Sequence, residues 1–533
     1  MNLDLTSPLG VTLGLLPEVV LTVVALIALL SAAWGHQTVG HSTRAGWLSL
    51  IGVLGAGAAL GWLWAGGAQP SGTPHMVALD PFRFAAGALI LLAAAATILL
   101  SLRYLEREAM LAPEYYPLML FATIGMLLLA GADDLMVLFL GLEVMSIAVY
   151  VLAGFNRRSA HSAEAALKYF LMGAFASAFL LYGIALVYGV TGTTSMTTAS
   201  MALSRGQLPL MGAMGLGMLL IGFGFKVAAA PFHMWTPDVY EGSPTPVTGF
   251  MATGVKVAGF AALARLLVIG FPAAAEQWQP VVTGLALLSM LVGNLIALNQ
   301  RSLKRMLAYS SVAHAGYLLA ALVTGSSLGA TAMLVYLLGY TLTSLAAFGL
   351  LAVLGRDGER EITLDGIAGL ATRRPWLAAG LAICMLSLLG FPGTLGFIGK
   401  WMILVALVGQ QQYLVSIVLV LASLVSAGYY LPVIMASYMR PAGERAGERE
   451  SVLAGPARLT IVVAVALVLV LGVWPTPAID LALSSAGSTN GSLNAMNLRS
   501  RSSCVCLSVT LRNVSTKGDP RARPSAKISS LTT

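Results

Sequence analysis

The residues best suited to chemistry are charged side chains inside long apolar stretches. The stretch GFGFKVAAAPFHMW, residues 222–235, places Lys226 shortly before Pro231 in an otherwise apolar run. An ionisable group near the bilayer centre costs about 2.5–3.5 kcal/mol on insertion scales, which makes it a functional candidate. Proline leaves a backbone carbonyl without its partner, and inside a membrane such a group must face protein or water. The sequence therefore predicts a polar or hydrated pocket beside Lys226.

Three further charges share this setting. Lys400 follows Pro392 in LGFPGTLGFIGKW, Lys256 lies within GFMATGVKVAGFAALARLL, and Glu143 lies within LMVLFLGLEVMSIAVYVL. A poorly hydrated lysine gains or loses a proton as its surroundings change. Such a row of charges could pass a proton along or hold a fixed electrostatic arrangement. The structural alternatives are a buried, satisfied lysine, a helix–helix hydrogen bond at Glu143, and packing kinks at the prolines.

Other polar residues are more ambiguous. Lys168 lies about one turn into its apolar run, where a snorkelling anchor is as plausible as a relay position. His314 lies between small residues and could relay protons near pH 7 or hold a structural hydrogen bond. His233 directly follows the interruption at Pro231 and is equally open to both interpretations.

Four charges near the ends of apolar runs favour structural roles. Arg265 lies near an outer helix end, where snorkelling is the expected behaviour. Asp133 and Asp134 precede an apolar run, and their position favours helix capping. Glu18 is expected to be a terminal or interface residue.

Composition indicates the class of protein that must position these groups. Hydrophobic residues make up 58% of the 533 residues and charged residues only 10%, whereas a soluble domain carries about 25% charged residues. Apolar runs of about 20 residues recur about fourteen times, and each is long enough for a helix to cross a bilayer. The alternating pattern of transmembrane strands is not seen. The sequence therefore predicts an all-α polytopic membrane protein in contact with lipid.

Several function classes are disfavoured. The chain has 3 cysteines and 6 histidines without metal-binding spacing, so no metal site is predicted. We find no P-loop and no nucleophile elbow, so an ATP-driven pump is not expected and no catalytic residue is assigned. Much of the net charge of +8 comes from residues 484–533, so nucleic acid is not an expected partner.

Basic residues predict the orientation of the spans. With the N-terminus outside, only Arg83 and Arg205 fall in outer loops. The inner loops then hold Arg44, Arg103, Arg107, Arg157, Arg158, Arg301, Lys304, Arg305, Arg356, Arg360, Arg373, Arg374, Arg440, Arg445, Arg449 and Arg458. This strong positive-inside bias predicts that both ends of a fourteen-span core lie outside.

Two interrupted spans suggest internal repetition. Residues 211–241 contain Pro231, residues 377–408 contain Pro392, and each run carries a lysine near its proline. Paired interruptions in two halves of a chain are a sequence signal for an ion path. We therefore predict the following division: spans 1–3 in residues 1–115, one five-span unit in 116–270, a second in 280–439, a final span in 459–479, and a disordered basic tail in 484–533.

Three long motifs carry a family resemblance. They are FKVAAAPFHMWTPDVYEGSPTPVTGFMATGVKVAGF, NQRSLKRMLAYSSVAHAGYLL and GFPGTLGFIGKW. Residues 10–480 resemble the antiporter-like membrane subunits of respiratory complex I. PFHMWTPDVYEG together with EAALKYFLMGAFASAFLLYG is similar to the N-type branch. Lys400 stands where the M type has glutamate, and no long lateral helix of the L type follows residue 479.

The resemblance implies a specific fold and a specific site. The fold would have fourteen helices, two inverted five-helix repeats, and broken helices 7 and 12. Glu143 would pair with Lys226, Lys256 would be the central lysine, and Lys400 would lie on the exit side. Lys168 and His314 match positions on the proposed proton relay. The tail after residue 484 departs from the family pattern.

The resemblance also implies the biochemical setting. The whole complex would oxidise NADH, reduce quinone and export protons across the bacterial inner membrane. This chain would be a translocating subunit beside other membrane-arm subunits. FMN, the iron–sulfur clusters and the quinone would belong to partner subunits, and no cofactor is expected here.

Two alternatives stay open at this stage. The first is a subunit of a multi-subunit cation/proton antiporter, which would need no NADH. The second is a structural membrane-arm subunit that moves no ions. The buried series of Glu143 and the lysines argues against the second, because a scaffold gains little from groups that are costly to bury.

Overall fold

Helices dominate the computed structural model of the protein. The structure describes residues 2–5, 7–34, 38–71, 75–203, 209–355, 362–441 and 455–487. A short parallel strand pair, which the all-α prediction does not include, joins β1 (Asn2–Asp4) to β2 (Gln69–Ser71), with Leu3 opposite Pro70. Within these ranges few residues pair through their backbones outside the helices, so the packing of helices determines the architecture.

The first third of the chain forms long helices joined by short turns. Their bounds are α1 (Pro8–Gly14), α2 (Leu16–Trp34), α3 (Val39–Ala65), α4 (Pro81–Arg107), α5 (Tyr115–Gly131), α6 (Leu135–Ala153) and α7 (Ala160–Thr191). Side-chain caps fix several of their starts: Asp80 accepts from the Arg83 amide, and Asp134 accepts from the Met136 and Val137 amides. Such caps satisfy backbone donors that have no partner within the helix.

The middle of the chain is more interrupted. Its elements are α8 (Met196–Leu203), α9 (Leu210–Lys226), α10 (Thr236–Gly242), α11 (Thr245–Phe250), a π-helical segment (Met251–Val255), α12 (Lys256–Ala264), a second π-helical segment (Arg265–Gly270) and a 3-10 turn (Pro272–Ala274). Helix α9 ends at Lys226, and helix resumes only at Thr236. The lysine thus lies at a helix terminus rather than within a continuous helix.

The last third again consists of long helices. They are α13 (Ala275–Ala297), α14 (Leu303–Val323), α15 (Ser327–Leu354), α16 (Leu370–Arg373), α17 (Pro375–Leu389), α18 (Leu395–Gly409), α19 (Tyr413–Met439), α20 (Gly455–Val473) and α21 (Thr476–Ala486). Helices α17 and α18 are separated by a turn in which Gly390 and Gly393 both have φ of +88°. Glycine adopts this backbone conformation without a Cβ clash.

Eleven helical segments of the described chain are long and apolar enough to cross a bilayer. Shorter apolar helices occur at Tyr115–Gly131, Leu210–Lys226, Pro375–Leu389 and Leu395–Gly409. The apolar windows of segment Thr245–Val268 and helix α14 are both 94% buried, whereas that of α2 is 33% buried. Most side chains of Thr245–Val268 and α14 therefore lie in the interior of the helical bundle.

The predicted tail begins too early. Helix α21 runs to Ala486, past residue 484, where the sequence analysis starts the tail. The predicted final span, 459–479, corresponds to α20 together with the first residues of α21, which Trp474 and Pro475 separate. Residues 488–533 lie outside the described residues.

Two glycines allow the same close helix contact in different parts of the chain. A Cβ on Gly125 of α5 would lie 2.7 Å from the Gly141 carbonyl oxygen of α6. A Cβ on Gly293 of α13 would lie 2.9 Å from the Tyr309 carbonyl oxygen of α14. The sequence separation within each pair is identical. Small residues at such positions let helix backbones approach closely.

We predict that Gly125→Ala destabilises the protein by about 1–3 kcal/mol, because the added methyl group meets the backbone of α6. Thermal unfolding of the detergent-solubilised protein measures this effect. Gly217→Ala is the matched control, since a Cβ there meets nothing within 4 Å. Equal melting temperatures for the two variants would contradict the packing argument.

Candidate functional site

Lys226 is buried at the end of α9, with a side chain only 4% exposed. Its Nζ donates a hydrogen bond of 2.6 Å to Ser146 Oγ on α6. The same ammonium lies 5.5 Å from the ring centroids of Tyr150 and Tyr169. The side chain thus has a neutral oxygen acceptor and two aromatic faces around it.

Glu143 is near Lys226 but does not touch it. The Glu143 carboxylate is half-buried and accepts a hydrogen bond from the Ser177 hydroxyl on α7. Among the described residues no ion pair joins it to Lys226, which instead donates a hydrogen bond to Ser146, one helical turn further along α6. The direct charge pair implied by the family resemblance is therefore not formed in this conformation.

A small cavity lies beside Lys226 and Ser177, the hydrogen-bond partner of Glu143. It is lined by Ser177 and Lys226, together with Tyr150 and apolar side chains, and leaves about 10 Å³ for the centre of a water molecule. A single buried water needs about 10–15 Å³ measured in this way, and two or more polar partners. The cavity therefore has room for about one water between the partner of Glu143 and Lys226.

The turn after Lys226 is satisfied mainly by protein groups. The Trp235 indole donates 3.0 Å to the Phe225 carbonyl, and the Ala230 amide donates 2.8 Å to Ser289 Oγ on α13. Pro231 itself is exposed on the surface of the chain. The predicted polar environment at the interruption thus consists of side-chain partners and the small cavity beside Lys226.

His233 follows that turn and is half-buried. Its Nδ1 has no hydrogen-bond partner in the described part of the chain, and its ring lies 6.4 Å from that of Tyr309. No hydrogen bond between described residues links it to Lys226 or Lys256. The structure thus places His233 beside the site without joining it to the lysines.

Lys256 occupies the centre of the molecule. It begins α12, directly after the π-helical segment, and its side chain is 3% exposed. Its Nζ donates to both the backbone oxygen (2.5 Å) and the Oγ (2.6 Å) of Ser311 on α14. The ring centroid of Tyr340 on α15 lies 5.3 Å from the ammonium.

His314 lies one turn along α14 from Ser311, the residue that binds Lys256. Its Nδ1 hydrogen-bonds with Tyr336 OH at 2.5 Å, and its Nε2 hydrogen-bonds with Tyr430 OH at 3.1 Å. Tyr430 OH also shares a hydrogen bond with Ser310. Both ring nitrogens of the histidine are therefore held by tyrosine hydroxyls from two other helices, α15 and α19.

Lys400 binds the end of the helix that precedes its own. Its Nζ donates to the carbonyl oxygens of Leu388 (3.0 Å) and Leu389 (2.8 Å), the last residues of α17. These carbonyls lack helical partners, and the helix dipole makes them attractive to a cation. The ammonium also lies 4.9 Å from the Tyr317 ring centroid. Pro392 is exposed in the turn between the two helices.

Lys168 lies apart from the buried lysines. Its side chain is 42% exposed and binds Glu164 at 2.6 Å and Asp238 at 2.8 Å. Arg305 binds the other oxygen of Asp238 at 2.8 Å. This surface cluster joins α7, α10 and α14, and the structure does not bring Lys168 to the buried row.

Arg265 does not snorkel as the sequence analysis expects. It is 2% exposed, and its guanidinium makes a two-pronged contact with Asp80, at 2.8 and 2.6 Å. Its Nε donates to the Ala130 carbonyl at 2.8 Å. Burial alone would raise the pKa of the Asp80 carboxyl, but the charge and hydrogen bonds of Arg265 and the Arg83 amide outweigh burial and lower that pKa.

The remaining terminal charges are also paired. Glu18 lies in the first turn of α2, in agreement with the predicted terminal position, but it is 4% exposed and binds Arg83 at 2.7 Å. The capping role predicted for Asp134 is confirmed by its bonds to the start of α6. Asp133 instead contacts His75 at 3.0 Å. The Glu18–Arg83 pair joins α2 to α4, and the Arg265–Asp80 pair joins the start of α4 to the segment after α12.

Sequence reasoning missed the neutral partners of the buried lysines. These partners are Ser146, Ser311, Tyr150, Tyr169, Tyr317 and Tyr340. One signal was available: Ser146 lies one turn from Glu143, and Ser311 lies one turn from His314, so each helix offers two polar residues on one face. The tyrosines come from helices whose packing the sequence does not specify.

The fold and site define a multi-span helical membrane protein with a row of buried lysines. Residues 132–426 match the family described as NADH:quinone oxidoreductase/Mrp antiporter, transmembrane region. The NADH-quinone oxidoreductase subunit N of Gemmatimonas aurantiaca is 45% identical over 505 residues, covering 92% of this chain and 96% of that protein. The subunit N of Trichlorobacter lovleyi is 45% identical over 88% of this chain and 95% of its own.

Solved structures show the same similarity. A chain of respiratory complex I from Thermus thermophilus matches with a TM-score of 0.74 and 37% identity, covering 88% of this chain and 99% of that one. A chain of the Mrp complex from Dietzia matches with a TM-score of 0.77 at 22% identity, which shows a shared fold. The chain belongs to the family of proton-translocating antiporter-like subunits of NADH:quinone oxidoreductase.

We predict that Asp80→Asn destabilises the protein by about 3–5 kcal/mol, because it leaves the buried Arg265 guanidinium without its countercharge. Asparagine can still cap α4, so the charge is the property that changes. Thermal unfolding of the solubilised protein tests this. The control is Glu106→Gln, which breaks the exposed pair with Arg103 and should cost at most about 1 kcal/mol. A loss at Asp80 no larger than the control would contradict the prediction.

Proposed function

We propose that this chain is the N subunit of an NADH:quinone oxidoreductase and translocates protons across the membrane. The observation that carries the proposal is the row of Lys226, Lys256, His314 and Lys400, buried in a chain whose relatives are named as that subunit. Burying four titratable groups is costly, and such groups inside a membrane commonly mark ion paths and proton relays.

The central part of the route runs along one face of α14. Ser311 binds Lys256 and His314 lies one turn away, so the lysine and the histidine are attached to neighbouring positions of one helix. His314 in turn is bound by two tyrosine hydroxyls. We infer that protons pass from Lys226 through Lys256 and His314 to Lys400, with hydroxyl groups or water bridging the intervals.

Glu143 and Lys226 would control entry to this route. In the present conformation Ser146 holds the lysine and Ser177 holds the glutamate. A move of the Glu143 side chain toward the small cavity would bring a carboxylate to the ammonium and favour its protonated form. Its return to Ser177 would release the lysine to donate its proton onward. Lys168 and His233 are proposed as peripheral groups on the entry side.

Family membership supports a finer description of the fold. Eleven long spans, helix α5, and the interrupted pairs α9–α10 and α17–α18 would together make fourteen membrane-crossing units. The matching glycine contacts of α5–α6 and α13–α14 support two five-helix repeats. We propose that these repeats are inverted and that the interruptions are the broken helices 7 and 12.

The cellular setting follows from the same assignment. The positive-inside pattern supports placement in the bacterial inner membrane with both ends of the helical core outside. Partner subunits of the membrane arm would adjoin the exposed apolar helices. FMN, the iron–sulfur clusters and the quinone are proposed to lie in partner subunits.

A cation/proton antiporter subunit is the second candidate. The matching family includes Mrp antiporters, and the Dietzia chain shares the fold. The relatives with 45% identity are named as subunit N, and this favours the redox-coupled assignment. A purely structural role would not explain why lysines, which are costly to bury in a membrane, are buried here.

Lys256→Ala should reduce coupled NADH oxidation and proton pumping by about tenfold or more, because removing a proton-transfer group usually costs at least that factor. Lys226→Ala should behave in the same way, and in both variants the complex should still assemble. Proton uptake by inside-out membrane vesicles supplied with NADH measures the effect. The exposed Arg440→Ala is the control. Full pumping in either lysine variant would refute the proposed route.

A tagged copy of the chain should co-migrate on a native gel with a large band that oxidises NADH. Membership of the redox complex requires this result. The control is the same gel from cells without the tagged gene. Migration in a smaller complex without NADH oxidation would support the antiporter candidate, and sodium-dependent proton exchange would then be the activity to measure.

A further inference from the structure

The three lysines of the proposed route, Lys226, Lys256 and Lys400, share an environment that the route alone does not explain. Lys304, which is also buried and lies near the start of α14, instead donates to the Ser243 carbonyl. Each of the three ammonium groups of the route lies near the face of at least one tyrosine ring: Lys226 at 5.5 Å from two rings, Lys256 at 5.3 Å, and Lys400 at 4.9 Å. Their hydrogen bonds go to serine hydroxyls or backbone oxygens. Within the described ranges no carboxylate lies within 4 Å of any of them.

A tyrosine ring face carries partial negative charge and attracts a cation within about 6 Å. The attraction is stronger where water is excluded, as it is around side chains that are at most 7% exposed. Unlike a carboxylate, the ring cannot accept the proton. A lysine held in this way keeps its charge stabilised while its proton stays free to move to another group.

Lys256 shows the effect most clearly. Its described partners are the two oxygens of Ser311 and the Tyr340 ring. The titratable groups around it are Tyr340 on α15, Tyr240 on α10 and His314 on α14. Below the pH range in which tyrosine ionises, the two tyrosines are neutral and the histidine is neutral or positively charged. None of the three therefore supplies a negative charge to the lysine.

We propose that Tyr340 is a positioning residue whose ring stabilises the protonated ammonium of Lys256 in place of a carboxylate. Tyr317 has the same role toward Lys400, and Tyr150 and Tyr169 have it toward Lys226. The inference rests on the proposed proton route, since it assigns to the rings the charge stabilisation that the route needs at each lysine.

The hydroxyl and the ring of Tyr340 can be separated experimentally. Tyr340→Phe keeps the aromatic face, whereas Tyr340→Leu removes it at smaller volume. Both variants are compared in vesicles that contain the assembled complex, with NADH-driven proton uptake recorded against pH. NADH oxidation with an artificial electron acceptor serves as the control, because it does not require proton transfer in the membrane arm.

The expected result is a profile for Tyr340→Phe that matches the unmodified protein. In Tyr340→Leu the alkaline limb of proton uptake should move to lower pH by about one unit, because the lysine loses its proton more readily. An unshifted Leu profile would overturn the proposal. An equal shift in the Phe variant would also overturn it, because the hydroxyl rather than the ring would then be responsible.

A graded series covers the case in which Tyr340→Leu fails to assemble. Phenylalanine, 4-fluorophenylalanine and 3,4,5-trifluorophenylalanine have similar shapes, and fluorine progressively weakens the negative face. Site-specific incorporation at position 340 should shift the alkaline limb stepwise with fluorine count, and identical profiles across the series would overturn the inference. If Lys256→Ala blocks pumping while the fluorinated series has no effect, the role of the ring is refuted but the proton route is not. Full pumping in Lys256→Ala would instead refute the proposed proton route.

Discussion

A charged group buried in a membrane protein must find partners within the protein, and much of the centre of this fold follows from that constraint. The ammonium groups of Lys226, Lys256 and Lys400 are almost fully buried. Their acceptors come from other helices or from a helix end: Ser146, Ser311, and the terminal carbonyls of α17. The helices must therefore pack closely enough to deliver these oxygens. The interruption between α17 and α18 supplies such acceptors directly, because a helix end exposes carbonyls that a continuous helix would use itself.

The absence of a carboxylate among these acceptors matters for function. A direct ion pair would stabilise the charged lysine in one state, and a proton would leave it only at high cost. Neutral oxygens and aromatic faces stabilise the charge more weakly. Glu143 is held by Ser177, which lines the cavity beside Lys226, and its carboxylate is the charge that we propose approaches the lysine. The site is therefore suited to a group that gains and loses protons.

The class of fold could be predicted from the sequence because membrane-spanning helices require long apolar runs, which are visible in the composition. Runs of apolar residues and the prolines of the two interruptions identify α9–α10 and α17–α18 without any tertiary information. The buried positions of Lys226, Lys256, Lys400 and His314 follow from their depth in those runs, and the structure places all four in the interior. The burial of Arg265 and Glu18 was not predicted, because both lie near helix ends, where exposure is the usual outcome. Their burial depends on Asp80 and Arg83, which are distant in sequence.

The hydrogen-bond partners of the buried polar groups could not be predicted from local sequence patterns. The family resemblance indicates a Glu143–Lys226 pair. In the structure Lys226 instead binds Ser146, which lies one helical turn from Glu143 on α6. His314 is held by Tyr336 and Tyr430, which lie on helices α15 and α19. Such contacts arise from the crossing of helices far apart in the chain. Periodicity tells which residues face inward, but the identity of each neighbour is fixed only when the helices pack. In this protein that packing gives each buried polar group its partners from other parts of the chain.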